Sequence, residues 1–203
     1  ADDNVAIGYA SLGVNTTGTR NVAVGALALD ANTVANDITA VGYAALTNHT
    51  TGTENTAVGA SAMFTCTTGA SNAAVGKGSM ANLTTGNQNT SVGKSSLNKT
   101  TTSSNNTAVG YNALEANTTG GSNVAVGSFA LDSNTTGGFC VAIGANALKS
   151  DATVSESVAV GYNALQAQTD GRNTAVGFLA GQDLTTGSSN TFDLNVGTSA
   201  LSD

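Results

Sequence analysis

The chain has 203 residues, only 9% of them charged, with thirteen Asp and Glu against six Lys and Arg for a net charge of −7. This balance excludes the basic surface that nucleic acid requires, and one His with two Cys is too few for a His/Cys metal site. No long apolar run, signal peptide or lipid-attachment motif stands out, so no membrane insertion is expected of this segment.

Organisation is set by the glycine that follows Val or Ile. It falls at Gly8, Gly25, Gly42, Gly59, Gly76, Gly93, Gly110, Gly127, Gly144 and Gly161, always 17 residues apart, then at Gly177 and Gly197 after steps of 16 and 20. Residues 1–203 therefore read as a single repeat array of twelve coils, ten in strict register to about residue 172 and two irregular ones over 173–203. With this glycine as position 5, the consensus is Asn, Thr/Val, Ala, Val, Gly, Tyr/Ala, any residue, Ala, Leu, and a polar stretch ending Asn-Thr-Thr-Gly.

The first coil opens with Asn4-Val5-Ala6-Ile7-Gly8, a short β-branched run closed by glycine, which predicts a strand and a sharp bend. A second short strand is expected over the Tyr-x-Ala-Leu segment. The Asn-Thr-Thr-Gly stretch that follows excludes a helical repeat and predicts turn. Position 4 is aliphatic in every copy and position 9 is Leu or Met in eleven, so these two are expected to fill the roll and an interchain seam. Positions 3 and 8 are almost always Ala or Ser, which implies a thin core. Position 1 is Asn in eight copies, from Asn4 and Asn21 to Asn173, and is expected to form a hydrogen-bonded ladder. Loop positions 10 to 17 are expected to face solvent.

Further along, His49 of coil three takes loop position 12, where other copies have Asn15, Asn117 or Asn134, and reads as a substituted turn residue. Cys66 of coil four and Cys140 of coil nine lie about five coils apart, too far to pair within one rod. Gly93-Lys94-Ser95 in coil six imitates the end of a phosphate-binding loop, but Gln88 stands where that loop needs its first glycine. Coil seven, Asn106 to Gly120, shows the consensus almost undiluted. The acidic residues are scattered over the repeat without calcium-roll spacing. Catalytic, cofactor-binding and metal residues are accordingly read as none, and the chain as no enzyme. Asn-x-Ser/Thr triplets at Asn15, Asn48, Asn82, Asn89, Asn98, Asn105, Asn117 and Asn134 are glycan acceptors or plain turn composition. No divergent cap appears at either end, so an ordered segment of a longer chain is expected.

Two large aliphatics per coil leave one chain marginal, which points to an oligomer. The unit Asn-Val-Ala-Ile-Gly at Asn4–Gly8, recurring as Asn-Val-Ala-Val-Gly at Asn21–Gly25 and Asn123–Gly127, resembles the YadA-like head repeats of trimeric autotransporter adhesins. The long form Asn-Thr-Ala-Val-Gly-Tyr-x-Ala-Leu-x-x-Asn-Thr-Thr-Gly is similar to repeats of bacteriophage tail-fibre proteins, often upstream of a self-cleaving chaperone domain. The resemblance spans all twelve copies and implies an all-β, left-handed parallel β-roll with two short strands per coil, three chains around an axis. It implies an extracellular structural or adhesive fibre on a virion or bacterial surface, and the longer loop favours the phage type. Partners are then the chain itself and a glycan or host-surface receptor, for which Tyr9, Tyr43, Phe64, Tyr111, Phe129, Tyr162 and Phe178 are candidate contacts. Two alternatives stay open. One is a monomeric solenoid that binds ice or another surface through the row Thr16, Thr50, Thr67, Thr84, Thr101, Thr118 and Thr135; the other is an end-to-end filament.

Overall fold

The computed structural model describes residues 2–150 and 152–184, together with the backbone of Phe192–Asp193. The chain is a parallel β-solenoid. Eleven three-residue strands, from β1 (Val5–Ile7) to β11 (Thr174–Val176), and the two-residue β12 (Phe192–Asp193) form one sheet in chain order. Pairing is position on position: Val5 with Val22, Ala6 with Ala23, Ile7 with Val24. The 16-residue step leaves this untouched, since Val158 pairs with Thr174 and the missing residue is absorbed in the loop. At the last step, the spacing to Gly197 would set Leu194 opposite Thr174, but Phe192 pairs there instead. Gly197 itself lies outside the described residues.

Each described coil holds one strand where two were expected. The Tyr-x-Ala-Leu segment is a run of turns, because its alternate residues are left-handed: φ is +60° at Leu27 and +55° at Leu29, +52° at Asn112 and +54° at Leu114. The two left-handed residues aim their N–H groups at opposite neighbours, while Ala28 N–H between them donates to Gly25 O of its own coil. Leu27 N–H donates back to Tyr9 O (2.8 Å), and Leu29 N–H donates forward to Ala45 O (2.9 Å). The segment thus ties a coil to both neighbours without being extended. A left-handed Leu costs about 1–2 kcal/mol, offset by the roughly 1.5–3 kcal/mol gained on burying its side chain. Leu29, Leu46, Leu114 and Leu131 are all fully buried.

The core reverses the expected strand parity. Positions 1 and 3 point inward and positions 2 and 4 outward, so position 9 fills the roll as expected but position 4 does not. Ala23, Ala40, Ala57 and Ala108 are fully buried, whereas Val75 and Val92 are 39% exposed and Ile7 is 60% exposed. Inward Ala at position 3 and position 8 lets the strand lie close to the turn segment. Where three of these alanines become serines, the hydroxyls bond one another: Ser79 Oγ to Ser91 Oγ (2.7 Å), and Ser91 to Ser96.

Position 1 forms the expected ladder, and it is buried. Asn72 N–H donates to Asn55 Oδ1 (2.9 Å) and Asn72 Nδ2 donates to Gly86 O (2.9 Å); Asn89, Asn106 and Asn123 repeat the scheme. Each amide satisfies backbone groups that the thin interior would otherwise leave orphaned. The loop, too, departs from expectation, because positions 12 and 15 turn inward. Asn134 is buried, accepts from Gly137 N–H (3.0 Å) and donates to Gly137 O (3.0 Å). His49 sits at the same place, fully buried, with Nε2–H donating to Gly52 O (2.5 Å).

Position 5 requires glycine. At Gly110 φ is +141°, and a Cβ would meet Gly127 C at 2.6 Å. The chain bends here against the identical bend of the next coil. No helix among the described residues is long and apolar enough to cross a membrane.

Candidate functional surface

Alternation through the strand places positions 17, 2 and 4 side by side on the outside of the sheet. Position 4 gives a continuous row of Val and Ile, with Ile143 at 40% exposure, and position 2 gives mostly Val or Thr, with Val5 at 47%. Eleven coils at about 4.8 Å make this face roughly 50 Å long. With a width of about 10 Å, its area is on the order of 500 Å², at the upper end of the largest apolar patch on a typical monomer. Nothing among the described residues covers it.

Two borders frame the face. On one side, position 17 supplies polar residues held at positive φ, among them Arg20, Asp37, Glu54, Gln88 and Glu156. Arg20 grips Asp37 of the next coil through two bonds (2.6 and 2.7 Å), which raise the guanidinium pKa and hold the Asp37 carboxyl below its usual range. Arg172 and Glu156 repeat the pairing at 2.9 Å. Such exposed pairs fix the rim's shape more than its stability.

On the other side, beyond the position-5 glycine, positions 6 and 7 carry aromatics. Tyr9 and Tyr43 stand alone, 81% and 61% exposed. Tyr111 and Phe129 of successive coils meet edge to face at 5.2 Å, with Lys94 Nζ 5.6 Å from the Tyr111 ring and Lys149 Nζ 4.9 Å from that of Phe129. Tyr162 stacks on Phe178 at 5.4 Å. Of the candidate aromatics, four therefore pair along the rod axis. Lys94, the false phosphate-loop lysine, is one end of a cation–π chain. Nearby, Lys99 pairs with Glu115 (3.2 Å), and burial together with the neighbouring Glu115 raises the Asp132 carboxyl.

Side chains with reactive potential lie elsewhere, inside the coils. Cys66 and Cys140 are both buried. Burial pushes the Cys66 thiol up to about 11, which keeps it protonated and poorly nucleophilic. Burial likewise lowers the His49 pKa, and its Nδ1 has no hydrogen-bond partner. The Thr16 row is engaged within the stack: Thr16, Thr84, Thr118 and Thr135 hydroxyls donate to the carbonyl of the equivalent residue one coil on. Phe139, 70% exposed on the position-17 border, is an aromatic the sequence reading passed over. Its signal was available, as every other position 17 up to Arg172 is polar or charged. No family model, curated protein or solved structure matches the chain.

Proposed function

We propose that this rod is a segment of an extracellular homotrimeric fibre, in which three copies bring their position 2 and 4 rows together and leave the loops outward for attachment. The observation that carries the reading is the unbroken Val and Ile row at position 4 of the outer sheet face. A strand that turns Ala inward and Val or Ile outward leaves those outer aliphatics to be buried by something else, and a row of identical repeats is complementary to a copy of itself. The polar position-17 border fits the rim of such an interface. A structural and adhesive role, on a phage virion or a bacterial surface, rests on the repeat's resemblance to fibre and head repeats. The alternative of an ice-binding monomer is disfavoured by the Thr16 row, whose hydroxyls are bonded to the next coil.

Light scattering on the purified segment is the test. A trimeric mass that falls to a monomer with Val109→Asp, while the circular dichroism spectrum is kept, supports the seam. A monomeric parent overturns it, and thermal hysteresis in that monomer would transfer the face to ice.

A further inference from the structure

Coils six to nine carry a groove of about 580 Å³ along the polar border, between the position-14 row (Thr102, Thr119, Thr136) and the position-17 row that includes Phe139 and Glu156. Its floor is position 16. In most other described coils this position bears a side chain, as in Thr19, Asn36, Thr53, Ala70, Asn87, Ser104 and Ser155, but in two successive coils it is Gly121 and Gly138, and in the shortened coil ten it is Gly171.

The missing side chains change the hydrogen bonding as well as the shape. Where position 16 is Asn or Ser, it caps the position-16 N–H of the preceding coil: Asn36 Oδ1 accepts from Thr19 N–H (2.7 Å), Asn87 Oδ1 from Ala70 (2.8 Å), Ser104 Oγ from Asn87 (3.0 Å) and Ser155 Oγ from Gly138 (3.2 Å). Gly121 and Gly138 have nothing to offer. By the repeat, Ser104 N–H and Gly121 N–H therefore aim into the vacated space, one coil or about 4.8 Å apart. Beside them stand the Thr119 and Ser122 hydroxyls, the Glu156 carboxylate and the Phe139 ring. Phe139 holds φ of +61°, a conformation that disfavours a bulky residue, while exposing 70% of itself. Neither strain nor exposure helps the fold.

We infer that this groove binds a neutral oligosaccharide lying along the rod axis. Stacked donors, hydroxyls and a carboxylate match the alternating acceptors and donors of sugar hydroxyls, and an exposed aromatic ring offers a face for the C–H side of a pyranose. The spacing of successive donors is close to the length of one pyranose unit. A protein of net charge −7 disfavours an acidic chain, although Glu156 in the wall is itself paired with Arg172 (2.9 Å). The inference deepens the fibre reading, on which its biological purpose rests, while the binding itself needs only the single rod.

The experiment is an array of neutral hexose, N-acetylhexosamine and uronic-acid oligosaccharides probed with the labelled segment, followed by titration of the strongest neutral hit. Gly121→Asn restores the cap found at Asn87 and fills the groove, and Phe139→Ser installs the residue that Ser71 and Ser122 already place at that φ. The expected result is a neutral-sugar signal that each variant weakens at least tenfold with the melting temperature unchanged. No signal from the parent, signal confined to uronic-acid oligomers, or signal that survives both variants would overturn the inference. The mass of the same preparation separates the two proposals: a sugar-binding monomer keeps the groove and removes the seam, and a trimer blind to neutral sugars does the reverse.

Discussion

Ala108 and Val109 are consecutive residues of β7 (Thr107–Val109), yet they belong to opposite faces of the solenoid. Ala108 is fully buried between the strand and the turn segment, and Val109 stands on the outer sheet face. In an ordinary domain the larger residue would be inside. Here the strand lies so close to the turn segment that its own inward sites hold mainly Ala or Ser and the buried Asn ladder, while the Leu and Met of position 9 fill the rest of the coil. The outward sites accept anything a strand tolerates, and evenly spaced Val and Ile along eleven coils give them an apolar character the fold does not require. The inner face determines whether the rod exists; the outer face determines what it meets.

The hardest blow to the inner face is at the bend that delivers it. Gly110→Ala places a Cβ 2.5 Å from Gly127 O at φ of +141°, a clash with backbone that neither coil can relieve alone. A loss above about 4 kcal/mol is expected, read as failure to reach the parent's circular dichroism spectrum or as a collapsed melting transition. Next comes overpacking. Ala108→Leu should cost about 1–3 kcal/mol or more by separating the layers, and Val109→Leu should stay within about 0.5 kcal/mol in a monomer. Equal effects in thermal melts would abolish the distinction between the faces.

The ladder adds a third test. Asn106 Oδ1 accepts from Asn123 N–H (3.0 Å), and its Nδ2 donates to Gly120 O (3.0 Å). Asn106→Ala leaves Asn123 N–H buried without a bond, at about 1–3 kcal/mol, and leaves Gly120 O with Asn117 Nδ2 (2.9 Å) as its remaining donor. Asn106→Asp sharpens the point: the carboxylate can still accept from Asn123 but cannot donate to Gly120, so it should recover only part of the loss in chemical denaturation.

Much of this was legible in the repeat. Spacing alone located the strands, the bend and the parallel register, because ten coils without insertion leave no other way to stack. Parity was misread, since size suggested that position 4 belonged inside. The better signal was position 2, which drifts among Val, Thr and Ala as an outer site can, and whose face position 4 must share two residues on. The second strand failed for another reason. Left-handed Leu at position 9 contradicts local propensity, and only the inter-coil bonds it permits explain why it persists. Across the described coils position 12 varies among Asn, His, Cys, Leu, Thr and Gln, which looks like a loop surface but reflects an inward slot that tolerates any group able to fill it or cap the turn. Of the candidate surface, the aliphatic row was visible, whereas the groove was not. Gly121 and Gly138 are two of the chain's 25 glycines, and only the bonds made at position 16 mark it as a capping site.

His49 yields the mildest contrast, between one coil and its own consensus. Burial lowers its pKa from the ordinary 6.5, and the Gly52 carbonyl that accepts from Nε2–H, together with the Cys66 backbone, only partly opposes this. The sign follows from proton counting. Above about pH 6.5 both folded and unfolded chains carry a neutral imidazole, so His49 adds no pH dependence. Below it the unfolded chain binds a proton that the folded coil resists, and stability falls as pH drops. His49→Asn installs the residue used at Asn32, Asn117 and Asn134 and removes the unpartnered Nδ1. At pH 8 the variant should melt at or slightly above the parent. At pH 5 the gap should widen by a few degrees as the parent alone loses stability. A gap that stays constant from pH 8 to 5 would mean that the imidazole finds water or a partner on protonation, and that the slot at position 12 is less sealed than its neighbours.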